Sequence, residues 1–309
     1  MEDDHLPPFL TPLAHSTASR PRQAVFNHPS LGPAHSLWWN SQNGMPPEAV
    51  LVFIPGNPGI LDFYTAYLTC LHQQNPNMAI FGHAHLAHTP TLAHLRREYG
   101  LRAQVQSAIE AIDAVRNAFG KVKIVLSSHS VGSWIALQVL KARPTDVAQA
   151  LLLCPTVTHI ADTPNGRRLS WVFRSPFPWI TSWLSYLTRP LCLSMLFPHW
   201  PVPQISALRS LLNSPPTVFA CLTMAHEEME IIRELDASLL DEHKHLLYIY
   251  FATDDGWVAH HKATILRAFV EEERAVQGSV PHAFSINHSE QVASQCSLWL
   301  GALGLGGGQ

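Results

Sequence analysis

Residues 126–134 read Leu126-Ser127-Ser128-His129-Ser130-Val131-Gly132-Ser133-Trp134. They follow the β-rich run Val122–Val125 and precede a helical run, Val131–Ala142, so Ser130 falls where a strand turns sharply into a helix. In the G-x-S-x-G form of such a turn, small neighbours let the serine take a strained backbone and stand exposed above a sheet. The amide of the following residue then faces the substrate oxyanion. Here Ser128 holds the first small position and Gly132 the last. The plainer alternative is a tight strand-helix turn without chemistry, since Ser and Gly are common at such junctions.

Outward from this turn the chain alternates strands and helices. Val50–Ile54 is a continuous apolar run that stops at Pro55-Gly56-Asn57-Pro58-Gly59, the pattern of a buried strand entering a loop with special backbone angles. A helix is expected at 61–73, a second buried strand at Met78–Phe81, and a helix at Leu101–Phe119, where Val105, Ile109, Ile112 and Val115 have helical spacing. Ala150–Cys154 and Leu246–Ala252 read as further strands, and a helix at 258–273, a short strand at 275–280 and a closing helix at 289–300 complete the pattern. This order predicts an α/β fold, a mainly parallel sheet with helices on both faces. From Pro155 to Leu240 the alternation stops in a segment rich in Trp, Pro, Phe and Leu, which reads as a helical cap inserted between two strands. The expected organisation is therefore a core of residues 21–154 and 241–303 with a cap at 155–240. The first twenty residues and the tail from Gly301 to Gln309 are expected to be disordered.

Composition narrows the possible functions. With 309 residues, 47% of them hydrophobic and 14% charged, the chain suits one large domain better than two small ones. A net charge of -3 and no basic run beyond Arg96-Arg97 and Arg167-Arg168 argue against nucleic acid. Cys70, Cys154, Cys192, Cys221 and Cys296 are scattered and odd in number, a poor disulfide framework, and are read as reduced and intracellular. The N-terminus lacks the basic-then-apolar layout of a signal peptide. No stretch has the length of a spanning helix; Leu169–Leu196 comes nearest, but Arg174, Arg189, Pro176, Pro178 and Pro190 interrupt it. The 19 histidines, including His83-x-His85-x-x-His88 and His260-His261, have no acidic or cysteine partner at ligand spacing. Neither a metal nor a cofactor is expected.

A serine nucleophile needs a base to take its proton and an acid to orient the base. On this type of sheet they follow in the order Ser, Asp or Glu, His, each on a loop after a strand. Thr253-Asp254-Asp255-Gly256-Trp257 puts two carboxylates after one strand, and Pro281-His282-Ala283-Phe284 follows the last. Asp254 and Asp255 both remain candidates for the acid. His282 is preferred over His288, which begins the closing helix. The oxyanion hole is expected from the backbone amides of Val131 and, on the Pro55–Gly59 loop, of Asn57, since Pro58 has no amide hydrogen.

Ile54-Pro55-Gly56-Asn57-Pro58-Gly59, then Phe63-Tyr64, Gly82-His83-Ala84-His85, Ser128–Ser133, Thr163-Pro164-Asn165-Gly166, Asp255-Gly256-Trp257 and Pro281–Phe284 together resemble the lipid droplet-associated hydrolase family over residues 50–300. The resemblance implies an α/β-hydrolase fold and a serine esterase or lipase-like site acting on sterol or other neutral lipid esters. It also implies residence on lipid droplets with an endoplasmic reticulum pool. Matched residue by residue, it carries the nucleophile onto Ser130, the acid onto Asp255 and the base onto His282. Two positions depart from the pattern: Ser128 stands where the family has glycine, and Gly256 where proline follows the acid. Two alternatives stay open, a droplet-organising lipid-binding protein with a vestigial site, and an acyltransferase. The cap's aromatic residues, with Trp179, Trp183 and Leu184 among them, are expected to anchor the protein on the droplet surface. The alternative is that they form the cap's own core and line an acyl pocket.

Overall fold

The computed structural model describes residues 5–13, 21–42, 45–92, 99–189, 191–269 and 272–304. Among these, nine strands form one sheet: β1 (Leu10–Pro12), β2 (Arg22–His28), β3 (Gly32–Trp39), β4 (Ala49–Ile54), β5 (Met78–His83), β6 (Lys123–His129), β7 (Val147–Leu153), β8 (Leu247–Phe251) and β9 (Ala275–Gln277). Their spatial order is β1-β2-β3-β5-β4-β6-β7-β8-β9. The six strands from β5 to β9 in that order run parallel, and β1, β2 and β3 extend the sheet antiparallel beyond β5.

The continuous apolar runs follow from burial on both faces. Every residue of β4 is buried, and its side chains alternate between two cores: Val50, Val52 and Ile54 face one, Leu51 and Phe53 the other. The first core is covered by α2 (Leu101–Phe119) and α3 (Val131–Ala142) through Leu101, Ala108, Ile112, Ile135 and Val139. The second is covered by α1 (Thr65–Gln74) and α11 (Ser289–Gly301) through Tyr67, Leu68, Leu71, Val292 and Cys296. Between β7 and β8 lie α4 (Pro164–Leu169), α5 (Phe177–Leu184), α6 (Leu193–Leu196), α7 (Val202–Leu212), α8 (Pro215–Ile231) and α9 (Ala237–His243), and α10 (His261–Ala268) follows β8. No helix among the described residues is long and apolar enough to cross a membrane.

Several expectations need correction. Residues 5–13 are not disordered: β1 pairs with β2, and Phe9 packs among Phe26, Trp38, Phe81 and Phe119. Residues 1–4 and 14–20, also expected to be disordered, lie outside the described residues, as do 305–309. At the other end Gly301 is the last residue of α11, and hydrogen-bonded turns carry the chain to Gly304. The boundary at 240 falls inside α9, whose Leu239 and Leu240 are buried in the first core. Of the helix expected at 258–273 the described residues form α10, with residues 256–260 held in turns by the carboxylate of Asp255 and by the Ala259 N–H bond to its carbonyl; residues 270 and 271 lie outside the described residues. The β2–β3 hairpin was not anticipated, its strands being short of a clean period-two pattern.

Candidate active site

Ser130 links β6 to α3 with φ 54° and ψ -124°, a left-handed conformation that costs a non-glycine residue energy and is held by its surroundings. Its amide donates to the Leu153 carbonyl at 2.9 Å, on the neighbouring strand. The loop after β4 presses on the turn from the other side. A Cβ on Gly132 would lie 2.4 Å from the carbonyl oxygens of both Ile54 and Pro55, so only glycine fits. Ser128, at the other small position, turns its hydroxyl into the sheet, where it donates to the Leu151 carbonyl at 3.2 Å. A serine is therefore accommodated there with its polar group satisfied.

The three groups expected from sequence come together. His282 Nε2 lies 3.0 Å from Ser130 Oγ, and His282 Nδ1 lies 2.7 Å from Asp255 Oδ2. The other oxygen of Asp255 accepts the amides of Trp257 at 2.8 Å and Val258 at 3.1 Å, which fixes the carboxylate's orientation. Burial alone pushes the Asp255 carboxyl up, but the hydrogen bond and charge of His282, with the two amides, outweigh it and hold it below the usual carboxylate range. Asp254 is exposed, with φ 53°, and has no such contact; of the two carboxylates it is Asp255 that hydrogen-bonds to His282. His288 is the N-cap residue of α11, and the hydrogen bonds to Ser130 and Asp255 are made by His282 instead.

Among the described residues the backbone amides of Asn57 and Val131 donate to no protein acceptor. The Asn57 side chain is held by α8: Nδ2 donates to the Cys221 carbonyl and to Glu228 Oε1, each at 2.8 Å. A second tether went unread in the sequence. The Gly56 amide donates to Tyr64 Oη at 3.1 Å, Tyr64 Oη lies 2.8 Å from His129 Nδ1, and His129 Nε2 lies 2.9 Å from the His282 carbonyl. With the Tyr64 hydroxyl donating to Nδ1, His129 donates from Nε2 to that carbonyl, and the Pro55–Gly59 loop is joined to the backbone of His282. Burial, then repulsion from His282, pushes His129 down to about 3, so it stays neutral and keeps this tautomer. Both residues stood in quoted motifs, Phe63-Tyr64 and Ser128-His129-Ser130, but only the fold reveals that they meet.

Ser130 and His282 open into a cavity of about 480 Å³ between the sheet's edge and the helices after β7. Its walls are mostly apolar, with Phe173, Trp200, Leu211, Leu222 and Met229 prominent, and Glu228 stands out among them. For metal binding, one group among the described residues has suitable spacing: His129, Cys154 and His282 bring one ligand atom each within 4.8 Å. Both ring nitrogens of His129 are engaged in the tether and burial pushes the Cys154 thiol up, so the group suits hydrogen bonding better than coordination. His83, His85 and His88 form no such group, although all three are buried.

A family model described as lipid-droplet associated hydrolase matches residues 47–285. The chain belongs to that family. Relatives named lipid droplet-associated hydrolase include one from Drosophila melanogaster, 24% identical over 88% of this chain and 95% of its own, and one from Homo sapiens, 27% identical over 85% and 87%. Among solved structures the fold is shared with a serine hydrolase of Cycloclasticus zankles, at a TM-score of 0.64 with 15% identity over 91% of this chain and 98% of that one. It is also shared with a thermophilic esterase of Thermogutta terrifontis, at 0.60 with 16% identity over 91% and 99%. The chain thus has the α/β-hydrolase fold, as the resemblance implied.

In this member of the lipid-droplet associated hydrolase family, Gly256 replaces the proline expected after the acid. The Asn165 side chain occupies the space a Cβ would need, 2.8 Å away, and the Asn165 amide donates to the Gly256 carbonyl at 3.0 Å. The Thr163–Gly166 motif is thereby packed on the acid's loop.

Proposed function

We propose that the chain is a serine ester hydrolase of the droplet surface, cleaving neutral lipid or sterol esters through Ser130, His282 and Asp255. The observation that carries this reading is the hydrogen-bonded line Asp255–His282–Ser130, at 2.7 Å and 3.0 Å, at the floor of an apolar cavity. His282 Nε2 takes the Ser130 proton as Oγ attacks the ester carbonyl, and the Asn57 and Val131 amides receive the oxyanion. The imidazolium, stabilised by Asp255, returns the proton to the leaving alcohol. Water, deprotonated by His282 in turn, releases the acyl group from Ser130. No cofactor takes part.

The cap's outer surface supports the droplet part of the reading. Trp179 and Trp183 are 61% and 58% exposed, and Leu184, Leu187, Met195, Leu196 and Val202 lie open beside them, whereas Phe173 and Trp200 line the cavity. Two sets of aromatics are therefore present, one for substrate and one facing outward. From Thr163 to His226 there is no acidic residue, while Arg167, Arg168, Arg174, Arg189 and Arg209 are present. An apolar patch with basic residues suits a phospholipid monolayer over a neutral lipid core, and the same reading includes an endoplasmic reticulum pool.

The test of the chemistry is labelling by a serine-reactive fluorophosphonate. Wild type should label and Ser130→Ala should not, with hydrolysis of a short soluble ester lost by orders of magnitude. If Ser130→Ala retained more than about a tenth of the activity, the mechanism would be wrong.

A further inference from the structure

Glu228 is the one acidic side chain lining the cavity of Ser130 and His282 among the described residues, and it is 6% exposed. Its carboxyl receives one hydrogen bond, from Asn57 Nδ2. Asn57 is secured by the Cys221 carbonyl as well, so holding the loop does not by itself call for a carboxyl here. Among the described residues the second carboxyl oxygen has no partner. Among the described residues no lysine or arginine lines the cavity with it: the other titratable side chains on the wall are Tyr64, His129, Cys221 and His282. A buried carboxyl in an apolar wall is costly unless its oxygens are hydrogen-bonded, by water in the free enzyme or by substrate in the complex. A substrate group that replaces that water with a donor loses nothing. A hydrocarbon brought to the same place leaves the carboxyl stripped.

We propose that Glu228 selects lipid esters that carry a free hydroxyl, the hydroxyl donating to its unpaired carboxyl oxygen, over esters that are hydrocarbon throughout. This rests on the ester-hydrolase reading and narrows it. The hydroxyl can belong to the alcohol part, as in a partial glyceride, or to the acyl part, as in a hydroxy fatty acid. Discrimination of this kind is strong, because a site built to bond a hydroxyl rejects the analogue that leaves it unpaired. Burial pushes Glu228 up to about 7, against the hydrogen bond from Asn57, so above that pH it is an acceptor only.

The experiment compares matched esters at a pH of about 8.5, where the carboxylate form prevails. One arm sets a monoacylglycerol against the propyl ester of the same acid; the other sets the methyl ester of a hydroxy fatty acid against that of the plain acid. Wild type should favour the hydroxylated member in one arm by about tenfold or more in kcat/KM, and that arm identifies where the hydroxyl lies. In Glu228→Met the ratio should fall to near one. A preference that survives in Glu228→Met, or an absent preference in both arms of wild type, overturns the proposal. Should Glu228→Met fail to fold, Glu228→Gln decides. It keeps an acceptor for Asn57 but can present an N–H to the cavity, so the oxo analogue of the favoured substrate, poor for wild type, should gain on the hydroxy compound. An unchanged oxo-to-hydroxy ratio in Glu228→Gln would overturn it equally. Fluorophosphonate labelling of Ser130 in the same samples separates the two levels. Labelled protein that cleaves esters without preference defeats only this inference, and unlabelled wild type defeats the hydrolase reading beneath it.

Discussion

The two adjacent carboxylates after β8 show how far a single residue's environment decides its role. Asp254 and Asp255 are alike in composition and one position apart, yet only Asp255 reaches His282, with its second oxygen tied down by two amides. Asp255→Asn should therefore cut kcat by orders of magnitude, because the amide holds His282 in the wrong tautomer, while Asp254→Asn should leave it within about threefold. Steady-state kinetics on a short soluble ester checks both, and the reverse ranking would move the acid by one residue. Glu228 offers a test of burial independent of activity. Its folded value of about 7 lies above the ordinary 4.5, so its contribution to stability is fully present below 4.5 and is lost as pH rises through about 7. Glu228→Gln does not titrate. Between about pH 4 and 8.5 the variant should gain up to about 3 kcal/mol relative to wild type, measured by chemical denaturation at each pH. A difference that does not change with pH would mean that the carboxyl is solvated.

At the scale of elements, α5 and the turn after it separate two jobs that the sequence mixes in one Trp-rich segment. Trp179 and Trp183 meet edge to face at 6.4 Å, Trp183 stacks on Tyr186, and the Arg189 guanidinium sits 3.7 Å from the Tyr186 ring centroid, all on the outside. Replacing Trp179, Trp183 and Leu184 by Ser should move the protein from droplets to the aqueous phase, since these side chains lie outside the cavity. Hydrolysis of a short soluble ester should be retained. Fluorescence microscopy with droplet flotation reads the first outcome and a colorimetric esterase assay the second. A folded triple variant that still floats with droplets would leave the outer aromatics without that role. The inner helix α8 works differently: through Asn57 it touches the Pro55–Gly59 loop, and the Glu227 carboxylate accepts the Leu101 amide at 2.7 Å at the start of α2.

For the whole molecule, β1 extends a sheet whose candidate active site lies elsewhere, and Phe9 beside it joins the aromatic cluster between the sheet and α2. Phe9→Ala should cost about 2 kcal/mol, less than a fully buried phenylalanine because Phe9 is half-buried, with kcat unchanged. Urea denaturation and ester kinetics on the same sample test this; unchanged stability would show that Phe9 adds nothing to the core. The parallel sheet, the turn at Ser130 and the candidates Ser130, Asp255 and His282 were all legible in the chain, and for a physical reason. Strands buried on both faces must be continuously apolar, strand-helix turns need small residues, and these signals are local. What the sequence left open was non-local. The residues alone offered Asp254 and Asp255 and only the resemblance favoured the second, whose bond to His282 spans 27 residues; the Tyr64–His129–His282 tether and the Glu228–Asn57 contact join segments 65, 153 and 171 residues apart. The division of the cap's aromatics into inner and outer sets was equally invisible, because every one is the same kind of apolar residue in the chain. Only packing gives each one a wall of the cavity or a share of the surface.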